Sequence, residues 1–362
     1  MAGRYGGHEL GRRVVAIGGG TGLPVVLAAL KRYLGARVAD LTAVVTVTDD
    51  GGSSGRLREE LRVLPPGDIR NCLVALAEVE PLMADLFQFR FGGEGALAGH
   101  SFGNLFLAAL AHVTGSFLQA IRISGKVLAV RGTILPSTLE RVTLAAELAD
   151  GRVVHGESAL ARQGQPVRRV FLEPARVRAL PEVLEAIDTA HAIVLAPGSL
   201  YTSLVPNLLV GGVASALRQA AAVKIYVANL MTEPGETDGL TLADHLEALH
   251  AHGGRGVVDG VVAHGRPFPA EVLRRYARAG ARPVVVDHER IHALGIWVTE
   301  ADLTGPTELA RHHPEKLGQV LARVIQNRAV LRSTRSRLGP AAAPLVRLAG
   351  GRRAAGPPRP RA

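Results

Sequence analysis

The chain has 362 residues, 47% of them hydrophobic, enough to bury a large core in one big domain or two, and no apolar run reaches membrane-spanning length. Its net charge of +10 points toward nucleic acid only until it is located: residues 331–362 hold eight arginines and no acid, which leaves the body close to neutral. Nothing aromatic interleaves those arginines, so nucleic acid is not the expected partner.

A flexible stub is expected over residues 1–12, an α/β domain over 13–330, and a disordered Arg/Pro/Ala-rich tail over 331–362, where little apolar content repays ordering entropy. The opening "MAGRYGGHELGR" lacks the apolar core of a secretory signal, and the single cysteine, Cys72, has no internal disulfide partner. A cytoplasmic protein without a membrane span follows as the expectation.

From residue 13 the pattern alternates: strand-like "RVVAI", helical "LPVVLAALKRYL", strand-like "LTAVVTV", then helical "IRNCLVALAEV" and "GNLFLAALAHV". Such alternation predicts parallel strands with helices on both faces. Residues 121–175 change character: in "RVTLAAELADGRVVHGESAL" two strand-like halves flank Asp150-Gly151, a dipeptide suited to a tight hairpin turn. A small β-rich insertion is predicted there. Alternation resumes at "HAIVLAPGSLYTS" and "KIYVANLMTEPGET", passes a helix at "LADHLEALHAH", and ends with "GVVDGVVAH", "PAEVLRRYARAG" and the strand-like "RPVVVD". The predicted fold is α/β, a doubly wound Rossmann-like parallel sheet interrupted by that insertion.

In "GGGTG", Gly18, Gly19, Gly20, Thr21 and Gly22 join the first strand to the first helix. Unpaired amides and the positive end of the helix dipole converge at such a turn, and absent side chains let the main chain approach an anion. The spacing is neither G-x-G-x-x-G nor a Walker loop, so a simple nicotinamide dehydrogenase or an ATPase is disfavoured. A tight turn without a ligand is the plain alternative.

Further polar loops recur at predicted strand ends. In "VTVTDDGGSSGRLREEL", Asp49 and Asp50 with Ser53 and Ser54 suit a ribose or a hydrated divalent cation, and Arg56 suits a phosphate; a capped turn uses the same residues. "LPPGDIRN" places Asp68, Arg70 and Asn71 at a helix start, "GHSFGN" supplies Ser101 and Asn104, and "APGSLYTSLVPN" supplies Gly198, Ser199 and Tyr201. Open parallel sheets bind ligands outside the carboxyl ends of their strands, where these loops are expected to gather. "GHSFG" also satisfies G-x-S-x-G, which would make Ser101 a serine hydrolase nucleophile, but the preceding "FGGEGALAG" reads as a loop rather than the strand an elbow requires. The histidines form no recognisable zinc pattern.

Taken together, "GGGTGLPVVLAALK", "VTVTDDGGSSGRLREEL", "LPPGDIRNCLVALAE", "GHSFGNLFLAAL", "APGSLYTSLVPNLLV" and "ANLMTEPGETDG" resemble the gluconeogenesis factor family, the YvcK group of the CofD-like superfamily, over about residues 12–325. The resemblance implies a cytoplasmic, commonly oligomeric protein, for which a dimer is the base expectation. It also implies a nucleotide ligand, UDP-N-acetylglucosamine or NAD, and a regulatory role in cell shape and wall-precursor supply on gluconeogenic carbon, exerted through a regulatory protein partner rather than through turnover. Tyr276 and Arg311 resemble family positions associated with the UDP-sugar, stacking and forking onto diphosphate respectively. The wider superfamily includes 2-phospho-L-lactate transferase, whose acids bind a divalent metal; a metal-dependent transferase is the alternative. On this reading the Gly18–Gly22 and Gly198/Ser199 loops hold the diphosphate, Asp49 or Asp50 approaches ribose or metal, and Ser101 and Asn104 contact the sugar side.

Overall fold

A computed structural model describes residues 11–306 and 309–335. In chain order the elements are β1 (Arg12–Gly18), α1 (Gly22–Lys31), β2 (Val38–Val45), α2 (Gly52–Glu60), α3 (Gly67–Leu76), α4 (Pro81–Gln88), α5 (Phe102–Thr114), α6 (Phe117–Val127) and β3 (Thr133–Pro136). Then come β4 (Thr143–Leu148), β5 (Val153–His155), α7 (Glu157–Leu160), β6 (Val167–Glu173), α8 (Pro181–Thr189) and β7 (Ala192–Leu195). A π-helical turn, Leu200–Leu204, leads into α9 (Val205–Leu209), α10 (Val213–Gln219), β8 (Val223–Val227), α11 (Leu242–Gly253) and β9 (Gly260–His264). The chain closes with α12 (Ala270–Arg278), α13 (His288–Ala293), β10 (Trp297–Ala301) and α14 (Pro314–Arg335).

Seven strands form one sheet in the order β10-β9-β8-β7-β1-β2-β3, every adjacent pair parallel. From β1 the chain winds outward to β3, then returns to β7 on the other side of β1 and winds outward to β10. Right-handed crossovers therefore place α1 and α3 on one face and α8, α10 and α11 on the other. Val14–Ile17 of β1 and all of β7 and β8 are buried, which is why these strands read as unbroken apolar runs. Helix α14 returns to pack on α1.

The insertion is a three-stranded antiparallel sheet, β5-β4-β6, with a turn at Asp150-Gly151 where Gly151 takes φ +85°. It is narrower than the 121–175 expected. Ser116 caps α6 by accepting the Gln119 amide, buried Phe117, Leu118 and Ile121 recur at helical spacing, and β3 joins the main sheet. A second difference concerns 282–287, expected as a strand. Pro283 has no N–H for a ladder, and the segment bridges residues 230–232 instead, while the last strand of the sheet is Trp297–Ala301. Helix α14 continues to Arg335, five residues into the expected tail, because the next breakers in sequence are Gly339 and Pro340. Residues 1–10 of the stub and 336–362 of the tail lie outside the described residues.

Candidate functional site

Strand order reverses between β1 and β7, and the two glycine-rich loops leave the sheet at that switch point, the crevice where doubly wound folds take ligands. The loops are in contact. A Cβ on Gly22 would lie 1.7 Å from Pro197 O, and one on Gly19 would lie 2.5 Å from Thr46 Cγ2 and 2.8 Å from Asp68 Oδ2. Gly20 adopts φ +56°. Glycine is required here by close approach as much as by conformation. Loops after β1, β2 and β7 and the start of α3 thus share one rim, and the turn after β8 joins them.

The amides at this rim are not bare. Gly20 N–H donates to Asp68 Oδ2 at 2.7 Å, Gly51 N–H to Asp49 Oδ1 at 2.9 Å, and Ser158 N–H to Asp50 Oδ1 at 2.8 Å. Gly198 N–H donates to Asn229 Oδ1, and Asn229 Nδ2 donates back to Gly198 O, both at 2.8 Å. Tyr201 and Thr202 amides both donate to Glu236 Oε1, and the Ser199 hydroxyl donates to Glu233 at 2.6 Å. Of the loops that the sequence reading offered to a pyrophosphate, the Gly20 and Gly198 amides are taken by the chain's own side chains.

Burial, with the neighbouring acids adding to it, shifts these groups. Burial pushes the Asp68 carboxyl up to about 6, only partly opposed by the Gly20 N–H. Burial likewise raises Glu236, with Glu233 adding to it, and raises Glu157, which also feels Asp49, Asp68, Asp50 and Glu236. Arg70 lies within electrostatic reach of Asp68 and Asp49, and Arg58 of Asp50 and Asp49.

Behind this rim the predicted residues of α2, α3 and α5 bind one another. Arg70 donates to Ser101 Oγ (2.5 Å), Asn104 Oδ1 (3.2 Å) and Asn71 Oδ1 (2.7 Å). Asn104 Nδ2 donates to Ser53 Oγ at 3.1 Å, and that hydroxyl lies 3.0 Å from His100 Nδ1. Ser54 Oγ accepts the Gly67 amide, and Arg56 donates to Ala98 O at 2.6 Å. Ser53, Ser101 and Asn104 are buried. Ser101 is the N-cap of α5, the element directly before it is helix α4 rather than a strand, and its Oγ accepts from Arg70; the nucleophile elbow of a serine hydrolase is not what this segment forms.

Tyr201 is buried edge-on to His252 at 5.9 Å, so its ring serves packing. The Tyr276 ring packs with Leu230, Met231, Val272 and Ala281, and its hydroxyl is 3.5 Å from Ala310 O. Arg311 is exposed on the segment after β10. Two cavities lie away from the glycine loop: about 670 Å³ between α6, α8 and the first halves of β1 and β2, and about 590 Å³ beside α12. Glu157, Ser158, Asn229, Glu233 and Glu236 escaped the sequence reading, although the two acids three apart in "TEPGE" lie within a loop it quoted.

Comparison with known proteins agrees with this architecture. The sequence profile of the family described as 2-phospho-L-lactate transferase CofD matches residues 14–304. A gluconeogenesis factor of Halalkalibacterium halodurans is 47% identical over 86% of this chain and 95% of that protein; one of Bacillus subtilis is 46% identical over 87% and 98%. A crystal structure of a Bacillus halodurans protein superimposes with a TM-score of 0.83 at 46% identity, covering 87% of this chain and 99% of that one.

Proposed function

The chain belongs to the CofD family, and from that membership we propose that it is a cytoplasmic gluconeogenesis factor: a regulator that binds a nucleotide-sugar, UDP-N-acetylglucosamine, or NAD at the same rim, and thereby serves cell shape and wall-precursor supply. The observation that carries the reading is the meeting of the Gly18–Gly22 and Ala196–Ser199 loops at the switch point of the sheet. Among the described residues no helix is long and apolar enough to cross a membrane.

The closed amides supply the regulatory logic. A diphosphate held by these loops competes with Asp68 for the Gly20 N–H and with Asn229 for the Gly198 N–H, so ligand entry requires those side chains to rearrange. A ligand acts on function only through unequal affinity for two states, and an occupied and a self-closed rim are two such states for a protein partner to distinguish. Among the described residues no three or more acidic, histidine or cysteine side chains converge into a group that could hold a metal ion.

A metal-dependent transferase is the second reading, favoured by the description of the family and by the acids Asp49, Asp50 and Asp68 at the rim. Calorimetry with UDP-N-acetylglucosamine, NAD and a control nucleotide separates the outcomes. Saturable binding with the ligand recovered unchanged supports the regulator; metal-dependent transfer of phospholactate from a nucleotide-activated donor to a deazaflavin acceptor, followed in a parallel turnover assay, supports the transferase; no heat with any ligand removes the first reading.

A further inference from the structure

One group that the insertion brings to the rim has no partner. Gly156, at φ +92°, turns the chain from β5 into α7, and a Cβ there would stand 2.1 Å from Asp50 Oδ2, so the turn lies directly on the carboxylate at the end of β2. Asp50 accepts the Ser158 amide in return. Between these two contacts stands Glu157, within electrostatic reach of Asp68, which closes Gly20, and of Glu236, which closes Tyr201 and Thr202. Its Oε2 is buried and has no hydrogen-bond partner.

Buried polar atoms are almost always paired, so an orphan carboxyl oxygen beside the rim asks for a group to meet it. The four carboxyls around Glu157 disfavour a phosphate against this one atom and leave the diphosphate to the glycine loops. A hydroxyl fits best: it is uncharged, and it donates to an ionised carboxylate or accepts from a protonated one. The end of the second strand is also where doubly wound folds set an acidic residue against the ribose.

We propose that Glu157 is a ribose-binding residue, its Oε2 hydrogen-bonded to a ribose hydroxyl of the nucleotide, so that the antiparallel insertion supplies part of the ligand site. The proposal rests on the nucleotide reading given above. Its test is a cycle of calorimetric titrations with UDP-N-acetylglucosamine and its 2′-deoxy and 3′-deoxyribose forms against the wild-type chain, Glu157→Ala and Glu157→Gln. The wild type is expected to bind one deoxy form about tenfold more weakly than the parent, the loss of one hydrogen bond to a buried carboxyl. Glu157→Ala is expected to bind the parent about tenfold more weakly and to lose that discrimination, while Glu157→Gln, which keeps a polar atom in place, retains part of it. Thermal melts check that the variants fold, and Glu157→Gln carries the test if the alanine variant does not. Unchanged affinity and discrimination in both variants overturn the ribose assignment alone; absence of binding by the wild type overturns the nucleotide reading with it.

Discussion

Asp68 sits between an amide that favours its charge and an enclosure that opposes it, and the enclosure prevails, lifting its pKa from 3.8 to about 6. The unfolded chain surrenders that proton at lower pH than the folded one. Its contribution to stability is therefore full below about pH 3.8 and falls as the pH rises through about 6, by roughly 3 kcal/mol in all. Asp68→Asn keeps an oxygen for the Gly20 N–H and removes the titration. Denaturant unfolding should show the variant gaining on the wild type by most of that amount, about 2 kcal/mol, between pH 4 and pH 8; a constant difference across the range would refute the raised pKa. Tyr276 poses a different question, since its ring packs among Leu230, Met231, Val272 and Ala281 while its hydroxyl barely reaches Ala310 O. Tyr276→Phe should leave stability within about 0.5 kcal/mol, and Tyr276→Ala should cost about 3 kcal/mol without any ligand present. Equal melting temperatures for the two variants would mean that the ring is no part of the packing.

At the scale of elements, the fit between the β1–α1 turn and the β7 loop is the critical contact. Gly22→Ala drives a methyl group into Pro197 O, a backbone atom that cannot swing aside, so the two loops must separate. Overpacking of this kind costs about 1–3 kcal/mol or more. The expected result is a lower melting temperature together with lost affinity for UDP-N-acetylglucosamine, whereas Gly95→Ala, with nothing within 4 Å of the added carbon, changes neither. The turn itself was readable in sequence because an apolar strand, clustered glycines and an apolar helix follow one another within a few residues. What closes it was not. Asp68 lies 48 positions from Gly20, and Glu236 lies 35 from Tyr201, so which carboxylate meets which amide is settled by the packing of distant loops. The strand at Trp297–Ala301 was missed for a related reason: "VVVD" at 284–287 has the stronger β-branched composition, and only the pairing of β9 with β10 decides between them.

For the molecule as a whole, the proposed ligand joins loops from both halves of the doubly wound sheet and from the insertion, so its binding should register as global stability rather than as local ordering. At a concentration 100 times Kd a ligand specific for the folded state adds about 2.7 kcal/mol. Because a large domain shifts by roughly 2–4 °C per kcal/mol, UDP-N-acetylglucosamine should raise the melting temperature by about 5–10 °C. The rim residues named above all lie between Gly18 and Glu236. Removal of residues 336–362 should accordingly leave both the thermal shift and the Kd unchanged at physiological salt. A truncated chain that bound the anionic ligand severalfold more weakly, with the deficit vanishing in high salt, would show instead that the basic tail acts at the rim by charge.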